Sequence, residues 1–284
     1  MWLALAVTFT HGVASGDVTP SRAVLWTRVD QAAQVTVEVA ADAEFRTKTW
    51  TRTVPATAEA DFTVKVVAEP LESGRAYYYR FGDGAAFSET GTFRTAPART
   101  VTSGVRFAFS GDSDANVNRF EALDAARAEG LDFFVYLGDT VYADEAHTVE
   151  EYRRFYKANR EVPALRRLLA ATSTYAIWDD HEVYNDYDGQ TVDRARYAAG
   201  RRAFLDYMPL LNLPFPDRAS CADDPPFRMF HWGQDIDIIV LDERSCRSAD
   251  VAAACDNDFA PTLPSLLRLA VGLPVGPPAG CLEA

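Results

Sequence analysis

The sequence predicts a mixed α/β fold in two unlike parts, an all-β sandwich followed by alternating strands and helices. Three observations predict it. Short β-branched and aromatic runs with two-residue alternation crowd the first third of the chain. Compact apolar runs then alternate with segments of helical spacing. Nearly half of the 284 residues are apolar, enough to bury two cores.

The first part spans residues 8–97. Residues 23–29, 35–39, 62–66, 77–81 and 91–95 read as strands, with Gly, Pro and Asp between them. About seven such strands in about ninety residues suggest a small sandwich of the immunoglobulin or fibronectin type. A sandwich of this kind serves as a spacer or binding module, and no catalytic cluster lies inside it. His11 and Asp17, in a Gly- and Ser-containing stretch, are expected to be turn residues.

Residues 96–100 read as a linker, and the second part as residues 102–284. Strands are expected at 105–110, 131–137, 173–178 and 235–241. Helices are expected at 118–129, at 150–171 with an interruption at Pro163, and at 192–207. Such alternation implies parallel pairing with right-handed crossovers. Chemistry then gathers at the carboxyl ends of the strands.

The net charge of -13 argues against nucleic acid as a partner, because phosphate backbones demand clustered Lys and Arg. No apolar run reaches the ~18 residues of a transmembrane segment. Residues 1–7 resemble a short piece of a signal-peptide apolar region without the basic stretch before it. Cys221, Cys246, Cys255 and Cys281 contain no CxxC pair, which disfavours a zinc ribbon. Disulfides in an oxidising compartment, with Cys255–Cys281 as the preferred pair, stand beside buried free thiols as the two readings.

The expected strand ends carry the chemistry. They read Gly111-Asp112-Ser113-Asp114, Gly138-Asp139-Thr140-Val141-Tyr142-Ala143-Asp144, Trp178-Asp179-Asp180-His181-Glu182 and Asp242-Glu243-Arg244. So many carboxylates at one sheet edge repel one another unless cations compensate. Hard divalent or trivalent metals take oxygen ligands at short range, which fits a two-metal site. Two such ions can hold a phosphate and generate hydroxide near neutral pH. Taken singly, each piece has a plainer explanation. A Gly-Asp pair forms turns, an Asp-Asp-His-Glu run suits a helix N-terminus, and Asp242 with Arg244 could be an ion pair. Three suitable strand ends in order favour the site.

These segments resemble the alkaline phosphatase D family of calcineurin-like metallophosphoesterases. The opening, residues 9–17 with 23–28, resembles that family's N-terminal sandwich. The runs around Asp139, Asp180 and Asp242 resemble its phosphatase segments, Trp178-Asp179-Asp180-His181-Glu182 being the most specific. The resemblance implies a fibronectin-like sandwich followed by the first half of a four-layer α/β/β/α metallophosphatase domain. It further implies that Asp112 binds one metal, Asp139 bridges two, Tyr142 binds Fe(III), and Asp180 takes the place of the usual Asn ligand. His181 would be the catalytic histidine and Arg244 a phosphate contact, with Asp179 nearby. Asp114 stands where many relatives have His, either as an oxygen ligand or as a cap of the following helix. Fe(III) with Ca2+ is the implied metal pair, with Zn2+ or Mn2+ used by other metallophosphoesterases.

The implied function is hydrolysis of phosphomonoesters or phosphodiesters by metal-bound hydroxide, in a secreted or periplasmic protein acting on small phosphate esters. The family's second half supplies a His and then a His-x-His element, whereas this chain has only His11, His147, His181 and His231. The expectation is therefore a fragment, weakly active or inactive. The alternatives are a non-catalytic ligand-binding module and a cell-surface module in which the sandwich does the work.

Overall fold

The computed structural model describes residues 6–210 and 227–249. Its first part is a β-sandwich of β1 (Phe9–Gly16), β2 (Ala23–Val29), β3 (Ala33–Ala40), β4 (Lys48–Ala56), β5 (Thr63–Ala68), β6 (Ala76–Gly82) and β7 (Gly91–Arg94). One antiparallel layer runs β4-β3-β6-β7, and the other contains β5-β2-β1. Alternation explains the layering: Val35, Val37 and Val39 on β3 and Tyr77, Tyr79 and Phe81 on β6 are buried in one shared core.

The second part contains β8 (Phe107–Ser110), α1 (Glu121–Ala128), β9 (Phe133–Leu137), α2 (Val149–Glu161), α3 (Pro163–Ala171), β10 (Ser173–Ile177) and α4 (Arg194–Tyr207). A hairpin of β11 (Phe227–Trp232) and β12 (Ile236–Leu241) follows. Thr148 and Glu151 start α2 with a reciprocal capping box. Pro163 ends the α2 path and opens α3, because it has no N–H to donate and forces Val162 into an extended conformation. α1 is shorter than its apolar spacing suggests, because Phe120 takes a left-handed φ of 58° just before it. β11 has no counterpart among the expected strands.

The strands β10, β9 and β8 pair in parallel, as the alternation predicts. The sandwich joins the same sheet. β1 pairs in parallel with β10, Ser15 opposite Ser173 and Gly16 opposite Thr174, giving the order β5-β2-β1-β10-β9-β8. A Cβ at Gly16 would lie 2.4 Å from the Pro209 carbonyl oxygen and 2.7 Å from that of Thr174, so only glycine permits this join.

His11 is a strand residue rather than a turn residue, whereas Asp17 does sit at a bend, with φ 43°, but buried rather than open to solvent. His11 is a buried position of β1, and Asp17 is fully buried just beyond its end. For Asp17, β11 supplies the reason: Arg228 Nη1 donates to it at 2.6 and 2.7 Å while Nη2 reaches the Ala176 carbonyl. This buried guanidinium links the hairpin to both halves of the large sheet.

The hairpin covers one face of that sheet, where Trp232 meets Phe133 at 5.0 Å and Phe230 meets Tyr175 at 4.6 Å between ring centroids. Helices cover the other. The C-terminal carbonyls of α4 are held by side chains from elsewhere: Asp206 by Trp26 Nε1 at 2.7 Å, Leu205 by Lys65 Nζ at 2.5 Å and Tyr207 by Arg160. Phe107, Phe109 and Leu137 on the sheet, and Met229, Ile239 and Leu241 on the hairpin, are exposed. Among the described residues no helix is long and apolar enough to cross a membrane. Cys246 is disulfide-bonded. Cys221, Cys255 and Cys281, and with them the Cys255–Cys281 pairing, lie outside the described residues.

Candidate metal centre

Parallel pairing sends the loops after β8, β9 and β10 off the same sheet edge. Asp112 and Asp139 both sit in the left-handed region, at φ 53° and 48°, a conformation Asp tolerates better than most residues. Gly138, at φ 102°, permits close approach: a Cβ there would lie 2.6 Å from Asp179 Cβ. The Ser113 amide donates to the Asp139 carbonyl at 2.8 Å, joining the first two loops directly.

Asp139, Asp180 and His181 each offer a ligand atom within 4.8 Å of the others. The Tyr142 hydroxyl lies between two carboxylates, 3.0 Å from Asp112 Oδ1 and 3.2 Å from Asp139 Oδ2, so its single proton serves either. Asp139 is buried, and its Oδ1 has no hydrogen-bond partner among the described residues. Leaving such an oxygen bare costs about 1–3 kcal/mol, more when it is charged. A hard cation is the natural partner for it. Two carboxylates and an adjacent phenol suit an oxygen-loving ion, with the His181 imidazole beside them.

The electrostatics agree. Burial pushes the Asp139 carboxyl above its usual range, and the neighbouring Asp180 and Asp179 carboxylates add to that against the opposing His181. Burial also raises the Tyr142 phenol, reinforced by its hydrogen bonds to Asp112 and Asp139. For His181 burial alone would favour the neutral ring, but Asp144, Asp139 and Asp180 outweigh it and the pKa rises. Without a cation, Asp139, Tyr142 and His181 each therefore keep a proton to higher pH than they would in isolation.

The structure brings Asp112, Asp139, Tyr142, Asp180 and His181 together. Arg244 Nε is 2.5 Å from Asp179 Oδ1, and its Nη2 is 3.4 Å from Asp180 Oδ2, so the guanidinium reaches the rim of the group. Asp242 forms no ion pair with that side chain. Its Oδ1 accepts the Arg244 and Ser245 amides at 3.0 and 2.9 Å, turning the chain back toward β10. Asp114 neither joins the ligand group nor caps α1. Its Oδ1 accepts the Asn116 amide at 2.8 Å, a local turn that suits a short carboxylate. The Asp-Asp-His-Glu run forms a turn rather than a helix start, as α4 begins only at Arg194.

Three residues of the site carried no role in the sequence reading. Asp144 accepts from His181 Nδ1 at 2.8 Å, which fixes the ring and leaves Nε2 as its remaining nitrogen. Its position two residues after Tyr142 was the available signal. Glu182 is fully buried beneath Thr140, and burial pushes its pKa up to about 7 against the hydrogen bonds it accepts from Thr140 and Asp179. Asn159, on α2, touches the backbones of the first two loops. A cavity of about 290 Å³ lies beside Tyr142, lined also by Asp114, Arg154 and Phe155.

Residues 4–97 match the family described as the PhoD-like phosphatase N-terminal domain, and residues 100–263 match the PhoD-like phosphatase family. The chain is 31% identical over 277 residues to alkaline phosphatase D of Bacillus subtilis (strain 168), covering 84% of this chain and 47% of that protein. Among solved structures it is similar to one described as the structure of PhoD, with a TM-score of 0.80 and 29% identity. That match covers 89% of this chain and 55% of the other. The chain thus spans about half the length of these relatives. With its sandwich, its parallel strand ends and both family matches in register along one polypeptide, the chain belongs to the PhoD-like phosphatase family.

Proposed function

We propose that the chain carries part of a metal-dependent phosphoesterase centre that hydrolyses phosphomonoesters or phosphodiesters. The observation that carries this reading is the orphaned Asp139 Oδ1 within the Asp139, Asp180 and His181 group. Asp139 would bridge two ions, Asp112 and Asp180 would each bind one, and Tyr142 would bind Fe(III). Ca2+ is the proposed second ion, with Zn2+ or Mn2+ as substitutes; Asp114 would contribute only if its turn opened. Cations held there would neutralise phosphate oxygens and make water nucleophilic near neutral pH.

The chain's own residues supply the rest. Asp144 orients His181 so that Nε2 can give a proton to the departing oxygen. Arg244, anchored by Asp179, brings positive charge to the rim where a phosphate would enter. The space beside Tyr142 has room for part of a small ester. Two hard ions take more ligands than these residues offer, so weak metal binding and little turnover are expected of this chain alone. A disulfide at Cys246 supports a secreted or periplasmic location.

The test is the Asp139→Asn change made at the matching position of a full-length relative, with metal content and turnover of a chromogenic phosphate ester measured together. Loss of both supports the assignment, and retained iron with unchanged turnover refutes it. Metal and phosphate binding without any turnover in the parent chain would identify a non-catalytic binding module instead.

A further inference from the structure

We propose that Thr140, Glu182 and Asn159 set the spacing of the three ligand-bearing loops before any cation arrives, making them positioning residues of the centre. The inference rests on the metal-site reading above for what the spacing is used for. The geometry converges on Thr140. Its amide and hydroxyl both donate to Glu182 Oε1, each at 2.5 Å, and its carbonyl accepts from Asn159 Nδ2 at 2.6 Å.

Each partner then reaches one further loop. Glu182 Oε2 accepts the Asp179 amide at 2.9 Å, tying the loop after β9 to the loop after β10. Asn159 Nδ2 also donates to the Ser113 carbonyl at 2.7 Å, and its Oδ1 accepts the Ala115 amide at 3.2 Å, tying in the loop after β8. Every contact falls beside a candidate ligand: Ser113 follows Asp112, Thr140 follows Asp139, and Asp179 precedes Asp180.

Glu182 and Asn159 are both buried, so these bonds are shielded from water. Both Glu182 oxygens are engaged by donors, which leaves the side chain to hold backbone rather than metal. Asn159 comes from α2, a helix outside all three loops, and so references them to the rigid body of the domain. Carboxylates that repel one another would otherwise drive these loops apart in the metal-free protein.

The test has two arms on the whole chain. In metal-free protein, amide hydrogen exchange at Thr140 and Asp179 should be slow, and Thr140→Val and Asn159→Asp should each speed it. Thr140→Val removes only the hydroxyl donor, and Asn159→Asp removes both amide donors while keeping the acceptor for Ala115. In the second arm, Fe(III) affinity should fall roughly 10–100-fold in both variants, with Thr140→Ser restoring most of it. Should one variant fail to unfold cooperatively, the other decides. Fast exchange at Thr140 and Asp179 in the metal-free parent overturns the proposal, as does undiminished Fe(III) affinity in a folded variant. A parent chain that takes up no Fe(III) removes the metal reading, while the exchange arm still decides whether the loops are pre-set.

Discussion

Ser15 and Ser173 face each other across the seam between the sandwich and the α/β part, their buried hydroxyl oxygens 3.0 Å apart. They occupy paired positions on β1 and β10, the one place among the described residues where strands of the two parts pair. The large sheet is therefore continuous, and the strand carrying Asp179 and Asp180 at its end is supported on one side by the sandwich.

This continuity predicts a single cooperative unfolding transition, seen alike by far-UV and aromatic signals. Arg228→Met should lower stability by about 3–5 kcal/mol, the usual cost of removing one member of a buried pair, here the guanidinium bonded to Asp17. Two separate transitions in a denaturant titration would show that the seam does not couple the parts.

A second prediction concerns pH. Burial, aided by the cations Arg28, Arg160, Lys157 and Arg166, lowers the His11 pKa from 6.5 to about 4. The unfolded chain therefore takes up a proton at higher pH than the native one. The stabilisation is complete above pH 6.5 and is lost as pH falls toward 4, by about 3 kcal/mol at most. Chemical denaturation across that window should show this loss, and His11→Gln should flatten it. An equal slope in the variant would exclude His11 as the source.

A third prediction follows from the approach of the loops after β9 and β10. Gly138→Ala would place a Cβ 2.6 Å from that of Asp179 at a φ of 102°, so the two loops must separate. Stability should fall by about 1–3 kcal/mol and metal affinity should fall with it. Urea denaturation and metal titration of the same sample check both effects; unchanged affinity would mean the loop contact does not shape the centre.

How much of this was legible in the sequence depends on the range of the interaction. The strands around Val35, Val64 and Phe134 and the break at Pro163 declare themselves through neighbours a few residues away. The β1 to β10 pairing joins residues far apart in sequence, and no local pattern in Ser15 or Ser173 announces a partner. β11 does alternate, with Arg228, Phe230 and Trp232 buried together, but an arginine on the inward face hides the pattern until Asp17 is seen opposite it. The candidate carboxylates Asp112 and Asp139 stood out because Gly-Asp after an apolar run is a local signal. Their division of labour did not. The family resemblance singled out Asp180 as a candidate ligand, but nothing local in Asp179-Asp180-His181-Glu182 tells that Asp179 holds Arg244 and Glu182 holds backbone; burial and partners show that.

Hard cations are proposed to lie between Tyr142 and the carboxylates of Asp139 and Asp180. Titration of the chain with Fe(III), followed by visible absorption, tests this most directly. A tyrosinate-to-iron band should grow with added metal, vanish in Tyr142→Phe while iron is still taken up, and fail with uptake in Asp139→Asn. Iron bound with an identical spectrum in Tyr142→Phe, or bound equally well in Asp139→Asn, would contradict the account.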